Sequence, residues 1–142
     1  MTCAMTAEEI NVFLDKEFPQ IHINGKVFEV TDVNEESITI HFTPSEAHLR
    51  PGGTISGPSM FTLADLAAYA AILARLGPVA LAVTTNLNIN FMRKPLPGNM
   101  RGVCRILKLG KRLCVLNVDI YSEGSDDLVA HATGTYSIPP IL

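Results

Sequence analysis

Cysteine is scarce in this chain. Cys3, Cys104 and Cys114 are the only three, an odd number at spacings that match no metal-ligand pattern, so neither a disulfide framework nor a cysteine-bound zinc site is expected. They read as free thiols of a reducing cytoplasm. No run of about 18 uninterrupted apolar residues is present, as a membrane span would need; the stretch 60–74 is shorter and is broken by Asp65. The opening "MTCAMTAEEINVFLDKEF" turns acidic where a secretory signal requires an apolar centre. Net charge is small, −3, which argues against a general attraction to nucleic acid or to an anionic membrane. The four histidines, His22, His41, His48 and His131, have no metal-ligand spacing. "PGGTISG" lacks both the lysine of a phosphate-cradling loop and the dinucleotide fingerprint. No G-x-S-x-G elbow surrounds Ser56 or Ser59.

What remains is a chain rich in apolar residues, 47 % of 142, enough for one self-sufficient core. A single domain over 1–142 is expected, with a helical segment at 1–20 leading into a core at 21–142. Thr6 and Glu9 fit a capping box that opens a helix over 7–17, before Pro19. "KVFEVTDV" and "SITIHF" read as strands around the turn "NEE". A Gly- and Pro-punctuated loop, 43–57, leads to a long helix, with Ser56 or Gly57 as cap, Pro58 at its first position and Gly77-Pro78 at its end. Four strands are expected after it, at 79–92, 99–109, 111–122 and 128–138. Consecutive strands with short turns imply a mainly antiparallel sheet and an α+β class. A helix apolar all round, with alanine at 64, 67, 68, 70, 71 and 74, must be covered on every side, so a curved sheet should wrap it.

Asp65 stands in the middle of that helix. An unpartnered ionised carboxylate is costly to bury, which leaves two readings. Either Thr62 or Tyr69, three and four residues away on its face, satisfies it structurally or that face reaches solvent; or it is a general base or nucleophile held in an apolar cleft. The helix start offers a complement, because the Gly57 and Ser59 amides point at the positive end of the helix dipole, a natural oxyanion site. Eight residues of helix put Gly57 about 12 Å from Asp65, too far to serve one carbonyl. Two antiparallel helices across a two-fold axis would bring Asp65 of one chain to Gly57 of the other.

"RPGGTISGPSMFTLAD", followed by "TTNLNINFMRKP", resembles the hotdog-fold acyl-CoA thioesterases, the phenylacetate-pathway type in particular, over residues 27–138. That family's motif has the form N-x-x-G-x-x-H-G-G followed by an apolar helix with an aspartate. The resemblance implies a hotdog fold, with a curved antiparallel sheet around a long central helix. It further implies a dimer or dimer of dimers, and hydrolysis of acyl-CoA between protomers. It places Gly57 as carbonyl-polarising amide, Asp65 as catalytic acid, and Thr84 where a hydroxyl helps hold the attacking water. Coenzyme A enters only as part of the substrate, and no metal or redox cofactor is implied. The family's asparagine is Arg50 here, its histidine is Ser56, and its second glycine is Pro58. Ser56 can cap the helix, and Arg50 could pair with Asp65 or with substrate.

Strict alternation over 84–91 puts Thr84, Asn86, Asn88 and Asn90 on one face and Thr85, Leu87, Ile89 and Phe91 on the helix-covering face. Seven of the eleven basic residues lie between Arg93 and Arg112; Arg93 and Lys94, ending the candidate site strand, are the best placed for the phosphates of coenzyme A. Ser56, Ser59, Phe61, Tyr69 and Asn86 complete the candidate substrate contacts; Met60, Phe61 and Tyr69 either shape the acyl pocket or belong to the core. The expected function is acyl-CoA thioesterase; the alternative is a non-catalytic acyl or acyl-CoA binding protein.

Overall fold

A computed structural model describes residues 3–140. It begins with α1, Ala7–Glu17. The Thr6 hydroxyl accepts from the Glu9 amide at 3.1 Å, and the Glu9 carboxylate accepts from the Thr6 amide at 3.0 Å. This is the reciprocal cap expected from the sequence. A 3-10 turn, Pro19–His22, leads into β1 (Phe28–Val33) and β2 (Ile38–Phe42). The long helix α2 spans Gly57–Leu76 and is followed by β3 (Val83–Phe91), β4 (Met100–Leu109), β5 (Leu113–Ser122) and β6 (Leu128–Ser137).

The six strands form one antiparallel sheet in the order β1-β2-β4-β5-β6-β3. The sheet curves round α2, so the fold is the α+β hotdog arrangement. Ser56 is the N-cap, with Gly57 first in the helix and Pro58 second; Gly77, at φ 93°, ends it. Leu63, Ala64, Ala67, Ala68, Ala70, Ile72 and Leu73 are wholly buried. α2 is long and apolar enough to cross a bilayer, yet 72 % of its most apolar window is buried inside the domain. Glycine on the sheet completes the close fit: a Cβ on Gly102 would meet Leu63 Cγ at 3.2 Å. Glycine at this position leaves room for the Leu63 side chain against the sheet.

Strand β3 begins four residues later than the sequence predicts. Residues 79–82 form a turn, tied by Val79 N–H to Gly77 O at 2.7 Å and Ala82 N–H to Val79 O at 3.0 Å, which carries the chain from the end of the helix to the sheet edge. A second difference matters more. Thr84 pairs with Tyr136 but Asn86 pairs with Thr135, so β3 is bulged between them. One extra residue in a strand reverses the side-chain alternation. Thr84 therefore turns toward α2 alongside Leu87 and Ile89, which pack on the core, while Asn86, Asn88 and Asn90 are exposed. The uninterrupted alternation, which grouped Thr84 with the asparagines, is corrected by this bulge. Gly134 accommodates it: a Cβ there would lie 2.8 Å from Asn86 O.

Candidate active site

Asp65 lies on the side of α2 that faces β3 and β6. Its Oδ1 accepts from Thr84 Oγ1 at 2.7 Å and from Tyr136 Oη at 2.7 Å. The same phenol is 3.0 Å from the Asp65 carbonyl oxygen. The helical neighbours that offered a purely structural explanation are engaged elsewhere. Thr62 donates to Pro58 O at 3.1 Å, and Tyr69 donates to Ala80 O at 2.9 Å. Oδ2 of Asp65 receives no hydrogen bond from the described residues. Asp65 borders a cavity of 440 Å³ with Thr84, Tyr136, Leu66 and Tyr69. One carboxylate oxygen is thus held and the other is available.

Tyr136 is the residue that sequence reasoning missed. It sits in β6 among Ala130, Ala132 and Gly134, the small residues of the inward face; a lone tyrosine in a row of small side chains beneath a helix is the signal that could have found it. Burial, followed by the Asp65 charge, pushes its phenol well above the usual tyrosine range. It therefore remains a donor at neutral pH. Burial and the Glu17 charge raise Tyr69 as well.

The helix start forms a second group. Ser56 Oγ accepts from the Ser59 amide at 3.3 Å and lies 2.8 Å from Ser59 Oγ. That cap removes Ser59 from the two amides expected to be available; Gly57 N–H has no acceptor among the described residues. His48 braces the segment through its backbone, its carbonyl accepting from Ser56 N–H at 2.8 Å and Ser59 Oγ at 3.2 Å. Its ring packs edge-on against Phe42, with Nδ1 accepting from Ser45 N–H at 2.9 Å.

Gly57, Arg50, Arg93 and Lys94 border a different cleft, of 560 Å³. Within one chain, then, Asp65, Thr84 and Tyr69 come together, and Gly57 gathers with the cations, but the two sets do not meet. Arg50 makes no ion pair with Asp65 among the described residues. Arg93 is 3.3 Å from Asp127, with both side chains more than half exposed. Ser56 and Ser59 line a third cleft with Gln20 and His48. Phe61, 38 % exposed, and the exposed Asn86 border neither the Asp65 cavity nor the Gly57 cleft. Arg101 and Arg105 share the outer face of β4 and are engaged there: Arg101 pairs with Asp126, and Arg105 faces Asp119. Among the described residues no group of three His, Cys, Asp or Glu could hold a metal ion.

The sequence profile of the thioesterase superfamily matches residues 52–129, more than half of the chain. This chain belongs to the thioesterase superfamily. A candidate thioesterase from Silicibacter sp. TM1040 is 46 % identical, with a TM-score of 0.89 over 99 % of this chain and 96 % of that one. A candidate esterase from Saccharolobus solfataricus is 29 % identical over 134 residues, 94 % of this chain and 86 % of the relative. A variant of the phenylacetic acid degradation protein from Thermus thermophilus is 25 % identical, with a TM-score of 0.68 over 79 % of this chain and 93 % of that one.

Membership makes the protein a hydrolase. The superfamily match contains Gly57, Asp65 and Thr84. It ends before Tyr136 and begins after α1, so the phenol on Asp65 and the Glu17–Ile21 side of the cavity lie outside it. Chemically, the Asp65 cavity supplies a carboxylate with one free oxygen in mostly apolar surroundings. The Gly57 cleft supplies an unpaired amide at a helix N-terminus, surrounded by positive charge. A carbonyl with an anionic leaving portion suits the pair.

Proposed function

We propose that this protein hydrolyses acyl-CoA thioesters at a site shared by two copies of the chain. The observation that carries the reading is the division of labour along α2. The free Asp65 oxygen and the free Gly57 amide occupy separate clefts about two turns, or about 12 Å, apart. They can act on one carbonyl only if a second copy supplies the other half. Strand β3 supports such pairing, because it is a nine-residue sheet edge whose outer backbone groups have no strand partner among the described residues, a ready template for a second strand. A dimer, or a dimer of dimers, is the assembly proposed.

In this scheme the Gly57 amide of one protomer donates to the thioester carbonyl. Asp65 of the other takes a proton from water through Oδ2, or attacks the carbonyl itself. In the direct attack, the C–S bond breaks to leave a mixed anhydride and the thiolate; water then hydrolyses the anhydride, restoring the carboxylate and giving its proton to the thiolate. In the water route, the new C–O bond forms as the carbonyl becomes an oxyanion on the amide. The C–S bond then breaks, and the proton held by Asp65 passes to the departing thiolate. Thr84 gives its single hydroxyl proton to Oδ1, so it orients the carboxylate and keeps lone pairs with which to accept from the water. Arg93, Lys94 and Arg50 offer charge to the phosphates of coenzyme A. Protein groups and water carry every step. Cys104 and Cys114, buried and unbridged, suit a reducing cytoplasm.

A second reading, an acyl-CoA binding protein without turnover, draws support from Ser56. It replaces the family's histidine and spends its hydroxyl on the Ser59 amide and hydroxyl. Thiol release from a set of acyl-CoAs separates the two. Release by the native chain that is lost in Asp65→Asn supports hydrolysis; binding without release in either form supports the binder.

A further inference from the structure

One side of the Asp65 cavity is built by residues that precede the superfamily match. Glu17 ends α1, and Phe18, Gln20 and Ile21 follow it; all four border the cavity. Tyr69 lies one helical turn beyond Asp65, on the side away from Gly57. The Phe18 ring meets it edge-on, with centroids 5.7 Å apart at 85°. The phenol of Tyr69 is tied to Ala80 O, so this aromatic pair is a fixed stop rather than a yielding one.

The segment bearing Phe18 and Ile21 is itself pinned. Asn11 exchanges two hydrogen bonds with the Val30 backbone, at 2.9 Å and 2.8 Å. Ile10 and Leu14 are buried beneath α1. Asp15 receives Lys26 at 3.1 Å and lies 2.8 Å from His22 Nε2. The two clefts also differ in charge. Arg50, Arg93 and Lys94 surround the Gly57 side. Among the described residues no Lys, Arg or His borders the Asp65 cavity, where Glu17 and Asp65 are the charged groups.

We infer that the N-terminal segment is the specificity wall of this enzyme: Phe18 and Ile21, with Tyr69, close the acyl cavity against long chains, and Glu17 rejects acyl groups that carry an anion. The inference rests on the Asp65 reading above. The acyl substrate is then compact and uncharged, a short aliphatic chain or a single aromatic ring, with coenzyme A lying toward the partner's basic cleft. A cavity of 440 Å³ that must also admit water suits that class.

The test compares thiol release from acetyl-, hexanoyl-, phenylacetyl-, succinyl- and palmitoyl-CoA. Native protein should show its highest kcat/KM on hexanoyl- or phenylacetyl-CoA, with palmitoyl- and succinyl-CoA lower by about tenfold or more. Phe18→Ala should raise the palmitoyl-to-hexanoyl ratio about tenfold, Ile21→Trp should lower the phenylacetyl-to-acetyl ratio, and Glu17→Gln should raise the succinyl-to-hexanoyl ratio. Ratios within one variant are independent of how much of it folds, and Glu17 is exposed, so that variant leaves the core untouched. Native preference for palmitoyl or succinyl groups, or ratios unmoved in all three variants, overturns the wall. Asp65→Asn on the best substrate separates the two failures. Hydrolysis persisting there overturns the site itself; hydrolysis abolished while the ratios stay fixed overturns only the wall.

Discussion

Tyr136 Oη and Asp65 Oδ1 are 2.7 Å apart, and the same phenol reaches the Asp65 carbonyl at 3.0 Å. A residue from the last strand thus holds both the side chain and the backbone of the acid in the central helix. Tyr136→Phe removes the one proton that Asp65 Oδ1 and the Asp65 carbonyl share, while Thr84 still donates to Oδ1; a lost hydrogen bond of this kind costs about 1 kcal/mol. Expected is a fall in kcat with KM little changed, because the variant disturbs the working carboxylate rather than the clefts. Thr84→Val removes the other donor to Oδ1. Because both act on one oxygen, the pair should be non-additive by about 0.5–3 kcal/mol, and a double-mutant cycle on kcat/KM checks it.

The proposed sharing of one site by two chains predicts complementation. Gly57→Pro deletes the amide donor while keeping a residue tolerated at the first helical position, and added atoms there meet the Phe91 ring at an ordinary 3.4 Å. Gly57→Pro and Asp65→Asn proteins should each be inactive. Mixed and allowed to exchange, half the dimers contain both chains and each of these holds one intact site, so about a quarter of native activity should return. Failure to recover activity after verified exchange would contradict the arrangement.

Gly134 is needed where β3 bulges. A Cβ there would lie 2.8 Å from Asn86 O and equally close to Leu87 Cδ1; the side chain can move, the backbone oxygen cannot without the bulge. Gly134→Ala should lower stability by about 1–3 kcal/mol and lower kcat as Thr84 shifts from Asp65. Gly110→Ala, whose Cβ meets Leu113 O at 3.4 Å, should change stability by less than about 1 kcal/mol. Urea midpoints at constant m-value measure both.

Alkaline pH should unfold the protein. Burial raises Cys114 from 9.0 to about 11 and raises Cys104 from the same ordinary value; burial and the Asp65 charge raise Tyr136 from 10.0. Above pH 9.0 the unfolded thiols, and above 10.0 the unfolded phenol, release protons that the folded state keeps. The unfolded state then binds fewer protons, so stability falls as pH rises. Each group contributes about 1.4 kcal/mol per pH unit between its unfolded and folded values. For Cys114 the loss ends near about 11. Denaturant midpoints should hold steady between about pH 7 and 8.5 and decline above about pH 9. Cys114→Ala should make that decline shallower, and a flat profile to about pH 10.5 would contradict the assignment.

Much of this was legible in the chain itself. The Thr6–Glu9 cap, the all-apolar α2 and the Gly77 stop are local features, decided by neighbours within a few residues, and alanine in α2 implied a surrounding sheet before any pairing was known. Asp65 stood out because a charge in such a helix needs an explanation, and the interval to Gly57 follows from helical rise alone. Strand boundaries were less legible at 79–82, where an apolar run continuous with the strand is held in a turn by backbone bonds to the helix end.

The sequence by itself determined which groups carry charge, which helix is buried, and how far apart on it the acid and the amide must stand, because these depend on residue type and helical period. Only the tertiary structure decided that Thr84 faces inward and that Tyr136 holds the acid. It also decided that Phe18 and Ile21 wall its cavity and that the cations gather round Gly57 instead. Those relationships join residues tens of positions apart through strand register, and one bulge beside Gly134 turns Thr84 to the face opposite the one alternation assigned it.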